Sequence, residues 1–161
     1  MESDSAAHEL GSLRVTVVRS TAEMEDALSV RRAVFIAEQG VTEAEEIDAY
    51  DGDPRQVTTA VHVVAYLDGL PAATGRLLLD APDGENAHIG RVAGLREHRR
   101  RGLGRAVMLA LQDEARRRGF CGATVAAQLQ AIPFYESLGY VAYGGVFLDA
   151  RIAHRLMDLQ L

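Results

Sequence analysis

The chain has 161 residues, a formal net charge of −6, 48% hydrophobic and 25% charged residues. That suits one globular domain around one core, and it excludes a protein that holds nucleic acid or a membrane surface through bulk positive charge. The single cysteine, Cys121, excludes an intrachain disulfide framework and fits a reducing compartment, and no apolar run reaches membrane-spanning length, so a cytoplasmic location is expected.

Residues 1–12 are polar and acidic and read as a flexible tail without the apolar region of a signal peptide, leaving 13–161 as the domain. Leu13 to Val18 alternates as a strand does. Ser20 or Thr21 can cap a helix with apolar positions at Met24, Leu28, Val34 and Phe35, running to about Gln39 and ending near Gly40. Residues 41–59 are acidic and broken by Gly52 and Pro54, so they read as a long loop with room for one helical turn; such loops are usually functional or disordered. Two apolar runs, 60–67 and 70–80, flank Asp68-Gly69 and predict a hairpin. After a turn at 81–86, Ala87 to Leu95 is the next strand.

Leu103, Val107, Ala110 and Leu111 recur at helical spacing. Arg116 to Arg118 complement the C-terminal dipole of that helix, and Gly119 closes it. Gly122 to Ala127 is a short strand of the buried type, 130–140 a short helix stopped by Gly139, and 140–145 and 147–159 are two final strands. The order is β-α-β-β-β-α-β-α-β-β, with no internal repeat and no linker to a second domain.

The stretch "HRRRGLGRAV" (His98 to Val107) sets dense positive charge against the N-terminus of a helix, whose own dipole is positive there. Arg99, Arg100, Arg101 and Arg105 surround Gly102-x-Gly104, which lets backbone approach a ligand closely, and the first helical amides are unpaired donors. A bound anion such as a pyrophosphate resolves the conflict; a solvated basic loop with glycines serving only the turn is the plainer reading. A Walker A loop is excluded because Gly-Lys-Ser/Thr is missing, and a dinucleotide fingerprint because Val107 stands where its third glycine belongs.

Two separated motifs decide between these readings. Arg99-x-x-Gly102-x-Gly104, inside "VAGLREHRRRGLGR", resembles the R/Q-x-x-G-x-G/A signature of the GNAT superfamily of acyl-CoA N-acyltransferases. Some thirty residues later "AIPFYESLGY" is similar to that family's A-x-x-h-Y-E-x-L-G-F, with Phe134 and Tyr135 as the aromatic pair. "RRAVFIAEQGV", "GRLL", "IGRV" and "RIAHRLM" together resemble the ElaA-like branch. Gly94 and Arg96 depart from the usual Val and Pro, Arg100 from a common Gly, and Gln128 stands where many members have Asn.

The resemblance implies an α/β (α+β) single-domain GNAT fold: a mixed, mostly antiparallel twisted sheet of six to seven strands flanked by about four helices. It implies acetyl-CoA as donor and a primary amine of a small molecule or peptide as acceptor, with a homodimer as a possible assembly and neither nucleic acid nor membrane as partner. The pyrophosphate would sit on the backbone from Arg101 through Gly102, Leu103 and Gly104 to Arg105, with Arg99 and Arg100 nearby. The pantetheine would lie along Val92 to Leu95, an amide near Ala93 or Gly94 polarising the thioester carbonyl, with Gln128 and Phe134 completing the site. Tyr135 is the candidate acid for the leaving thiolate; alone it would read as a core tyrosine.

The general base does not follow from spacing. Glu38, at the end of an apolar helix, is the first choice, and a solvated helix-end glutamate the alternative. The acidic loop 43–53 would attract a cationic acceptor or simply be solvated surface. Arg76 and Arg91 lie in strands of buried character, so each must find a carboxylate or an anion: an acceptor group, Glu38 or Asp48. His154, alternating with apolar residues in the last strand, either lines the acceptor site or is structural. No histidine or cysteine spacing suggests a metal site. The competing function is a non-catalytic acyl-CoA-binding sensor.

Overall fold

Alternating apolar residues build seven strands, β1 (Leu13–Val17), β2 (Ala60–Leu67), β3 (Leu70–Leu78), β4 (Ala87–Gly94), β5 (Gly122–Gln128), β6 (Val141–Asp149) and β7 (Ile152–Gln160). The computed structural model describes residues 12–82 and 85–161. The expected tail therefore lies outside the described residues except for Ser12, whose amide donates to Asp68 Oδ1 and whose carbonyl accepts from the Asp68 amide, each at 2.8 Å. The strands join into one seven-stranded sheet in the order β1-β2-β3-β4-β5-β7-β6. All neighbours run antiparallel except β4 and β5, which are parallel.

Strand alternation sends β2 side chains to two faces. Val61, Val63, Ala65 and Leu67 join a core with Val107, Met108 and Leu111, which belong to the helix α3 (Leu103–Arg117). Val64 and Tyr66 pack instead on Met24, Ala27 and Leu28 of α1 (Thr21–Arg31). The sheet thus lies between helices. Ser20 caps α1 by accepting from the Glu23 amide, 3.1 Å away. The helix continues as a wider π-turn segment, Arg32–Glu38, where the Gln39 amide reaches back to the Val34 carbonyl at 3.1 Å. Gly40, at φ +74, ends it as expected.

The predicted loop after this helix is ordered by charge. It holds α2 (Glu43–Glu46), closed by a Thr42–Glu45 capping box, and a short turn Ala49–Asp51 capped by Asp48. Arg31, 1% exposed, donates to Glu46 Oε1 at 2.9 Å and to Asp51 Oδ1 and Oδ2 at 2.6 and 2.9 Å. Arg76 bonds both Asp48 oxygens at 2.8 Å and Asp51 Oδ1 at 3.1 Å. Burial alone would raise the Asp51 carboxyl, but the hydrogen bonds from Arg31 and the Asp48 amide, with the charges of Arg31 and Arg76, hold it well below the usual carboxylate range.

One boundary differs from the sequence reading. The sequence suggests a break at Gly144-Gly145, with Phe147 to Asp149 in the last strand. In the structure β6 runs through, with a bulge where its register against β7 shifts between Tyr143 and Phe147 and Gly144 takes φ +71. The chain reverses at Ala150 and Arg151, at φ +47 and +65. That turn usually calls for Asn or Gly, so it left no signal.

Two outcomes follow for stability. A Cβ at Gly75 would stand 2.8 Å from both Val107 Cγ1 and Leu111 Cδ1, so α3 approaches β3 closely because residue 75 has no side chain. Gly75→Ala is expected to cost about 1–3 kcal/mol in urea unfolding through overpacking; an unchanged midpoint counts against this account. Arg31→Met removes the most buried arginine partner of Glu46 and Asp51, leaving them only Arg91 and Arg76, and is expected to cost about 3–5 kcal/mol by the same measurement; a loss under about 1 kcal/mol counts against the buried network as the anchor of the loop.

Candidate active site

The site begins where sheet pairing ends. β4 and β5 pair only from Ala87–Ala123 to Ile89–Val125. Beyond Ile89 they separate, while β5 stays paired to β7 as far as Gln128 and His154. Against β3, β4 is bulged: Arg76 faces Gly90 and Thr74 faces Ala93, so Arg91 and Val92 share one opposite position. Arg91 takes φ +52, an uncommon conformation for an arginine. A bulge twists its strand, and here it turns β4 away from β5. The resulting cleft has a volume of about 770 Å³ and is lined by both strands, the start of α3 and the short helix α4 (Ile132–Ser137).

At one end lies the arginine-glycine loop. Gly102 takes φ +80 and caps α3 without a side-chain hydrogen bond. The first backbone bond of the helix runs from the Ala106 amide to the Gly102 carbonyl at 3.0 Å, so the amides of Leu103, Gly104 and Arg105 are free for a ligand. Arg100 and Arg105 line the cleft, and among the described residues neither has an acidic partner; Arg101 is exposed but outside the lining. A Cβ on Gly104 would stand 3.3 Å from Phe134 Cζ, so the missing side chain lets α3 and α4 meet. Val92, Ala93, Gly94 and Leu103 line the cleft too.

Tyr135 lines the cleft, 8% exposed, its ring edge-on to Phe134 at 5.0 Å and to Tyr140 at 5.8 Å. Its hydroxyl has no hydrogen-bond partner among the described residues, yet it is not sealed: there the one fully buried unpartnered side-chain polar atom is His98 Nδ1. Burial pushes the Tyr135 phenol up to about 12. The group therefore stays protonated across the neutral range and is a donor, not a base. Gln128 faces Gln39 across the cleft, donating from Nε2 to Oε1 at 2.9 Å.

The expected base is placed elsewhere. Glu38 lies outside the cleft lining, with its two oxygens taken by Arg99 at 2.7 and 2.9 Å. Arg99 also donates to the Gly94 carbonyl at 3.1 Å, so it braces the loop rather than standing free for an anion. The wider π-turn resets the helical phase, and the neighbouring Gln39 lines the cleft instead. Arg76 is likewise not a lining residue; its partners are Asp48 and Asp51.

Arg91 does line the cleft, 3.2 Å from Glu46 Oε1, and burial, with the like charge of Arg76, lowers its pKa. His154 lines the cleft from β7. The acidic loop presents less free charge than its sequence implies: Glu46, Asp48 and Asp51 are neutralised by arginines, and Glu45 by Arg151 at 3.1 Å. Phe35, Val41 and Asp149 also line the cleft, although nothing in their spacing distinguishes them from core or turn residues.

The sequence profile of the Acetyltransferase (GNAT) family matches residues 24–140. The "uncharacterized N-acetyltransferase YjcF" of Bacillus subtilis (strain 168) is 34% identical over 146 residues, covering 90% of this chain and 98% of its own. Among solved structures, an acyl-CoA N-acyltransferase from Pseudomonas aeruginosa superposes with a TM-score of 0.75 at 29% identity, over 91% of this chain and 99% of its own. ElaA of Escherichia coli superposes with a TM-score of 0.76 at 22% identity, again over 91% and 99%, a likeness of fold. The matched segment contains the bulged strand, the arginine-glycine loop and the tyrosine-bearing helix that together make the cleft, and this protein belongs to the GNAT acetyltransferase family.

Proposed function

We propose that the protein transfers an acetyl group from acetyl-CoA directly to a primary amine of a small molecule or peptide. The observation that carries this reading is the separation of β4 from β5 beside a helix N-terminus that has no side-chain cap hydrogen bond. An extended thioester arm needs an unpaired strand edge, and a pyrophosphate needs converging amides and cations. Both lie on one cleft. Arg100, Arg105 and the amides of Leu103 to Arg105 would take the pyrophosphate. Arg101 adds charge from outside the lining, and Arg99 holds the loop through Glu38 and Gly94.

The edge from Val92 to Gly94 would pair with the pantetheine as an added strand. An amide at Ala93 or Gly94 would then donate to the thioester carbonyl, where negative charge grows as the amine attacks. Phe134 closes the cleft against Gly104, and the Gln128–Gln39 bridge spans it. Tyr135 would donate to the departing sulfur, and its burial keeps the proton in place until that moment. A cytoplasmic location, where acetyl-CoA is available, fits this reading; among the described residues no helix is long and apolar enough to cross a membrane.

Gly104→Asp sets a carboxylate where the pyrophosphate would bind. It is expected to weaken CoA binding more than about tenfold in calorimetry, about 1.4 kcal/mol or more, in a protein whose circular dichroism is unchanged. Equal affinity in the folded variant refutes the assignment. Tyr135→Phe is expected to lower kcat about 10–1000-fold with CoA affinity preserved. Because the phenol pKa is raised to about 12, Tyr135 should produce no alkaline fall in kcat at pH values well below that. Equal rates for the two proteins would make Tyr135 a packing residue.

A further inference from the structure

We propose that His154 is the general base of the transfer, its Nε2 taking the proton that the incoming ammonium must lose. This assignment rests on the transferase reading above and adds the group that sequence spacing did not supply. His154 sits on β7, opposite Gln128 of β5 and Phe147 of β6 in the sheet register. It is 8% exposed and lines the cleft that also holds Tyr135. Its ring stacks on Phe147 with centroids 5.7 Å apart and planes 21° from parallel.

Its Nδ1 lies 2.6 Å from the Ile152 carbonyl oxygen. A carbonyl only accepts, so Nδ1 carries the hydrogen, and in the neutral ring Nε2 holds the lone pair. Among the described residues Nε2 has no partner, yet it is not among the sealed polar atoms. The imidazole is thus oriented from two sides and its basic nitrogen is accessible, as a general base requires.

The other titratable groups around the cleft are committed or misplaced. Glu38 is held by Arg99, Glu45 by Arg151 and the Thr42 cap, and Glu46 by Arg31 and Arg91. Tyr135 is a donor, and His98 belongs to the arginine loop. Asp149, exposed at the end of β6, is the remaining competitor.

The protons balance. The ammonium gives one proton to Nε2, forming imidazolium, and the freed nitrogen lone pair attacks the thioester carbon. The C–N bond forms as the carbonyl becomes an oxyanion. Collapse breaks the C–S bond, and the sulfur takes the Tyr135 proton. The surplus proton on the new amide nitrogen returns to the tyrosine oxygen through water, and the imidazolium releases its proton to solvent. The net products are the amide, free CoA thiol and one proton.

The test measures free thiol released from acetyl-CoA with spermidine, glucosamine and a dipeptide as acceptors. It compares wild type, His154→Ala, His154→Asn and Asp149→Asn. The asparagine at 154 retains an N–H near Ile152, so it separates folding from basicity. Both His154 variants are expected to lose about 10²–10⁴-fold in kcat while binding CoA as wild type does. Added imidazole should restore part of the rate in His154→Ala. The loss of kcat should be greater in both His154 variants than in Asp149→Asn. Wild-type kcat in His154→Asn, absence of imidazole rescue, or a larger loss of kcat in Asp149→Asn than in His154→Asn would overturn the assignment. Wild type releasing thiol with none of the amines would instead overturn the transferase reading on which it rests.

Discussion

The structure depends on a sheet that is prevented from closing. Three residue pairs hold β4 to β5, and then the strands part. Backbone groups along an unpaired strand edge are donors and acceptors without partners, which would be costly in a closed core. They are tolerated because the edge faces a cleft open to water and ligand. The parting is imposed from the other side of β4, where Arg91 and Val92 both face Gly75. Residues held at positive φ cost on the order of 1–3 kcal/mol and persist only when their surroundings over-determine them. For Arg91 those surroundings are the Glu46 carboxylate at 3.2 Å and the Glu46 carbonyl at 3.3 Å.

The buried ion network therefore belongs to the same design as the cleft. Arg31, Arg76 and Arg91 face Glu46, Asp48 and Asp51, balanced in charge and linked by short contacts. Buried ion pairs add little net stability over apolar packing, but they are strongly directional. Here they fasten an irregular segment between α1 and the sheet, so that the wall holding Val41, Glu45 and Glu46 stands at a defined distance from β4. His62 lies inside the network with Nε2 2.9 Å from the Tyr50 carbonyl, and burial lowers its pKa, so it stays neutral and spends its N–H on the backbone.

The charged groups that line the cleft differ in whether they are already paired. At the arginine-glycine loop, Arg100 and Arg105 have no acidic partner among the described residues. The cleft lining also includes a tyrosine whose burial keeps its proton in place and a histidine whose backbone contact fixes its tautomer. Of the lining carboxylates, Glu45 and Glu46 are already paired with arginines. Arg99 ties the loop to β4 through the Gly94 carbonyl and to the π-turn segment after α1 through Glu38.

How much of this was legible in the sequence depended on how local its cause was. Helix caps, the Asp68-Gly69 hairpin, the α3 stripe and the arginine-glycine loop are governed by neighbours within a few residues, and composition reveals them. The Phe134–Tyr135 pair was legible because its helix is short and its motif dense. Side-chain partnership was not. Glu38 and Gln39 are adjacent, and a wider turn decides which one meets the cleft; Arg76 and Arg99 found carboxylates brought near only by folding. The hairpin at Ala150-Arg151 escaped because its residues do not prefer positive φ, and pairing along β6 and β7 enforces it. His154 was legible as a polar residue in an apolar strand, but its role depends on Ile152, Phe147 and the open cleft converging on one ring. By itself the sequence determined most of the elements, the family and the arginine-glycine loop, since these follow from periodicity, motif and backbone chemistry; only the tertiary structure decided which charges are spent on one another and which remain free for chemistry, because that choice depends on distances between segments far apart along the chain.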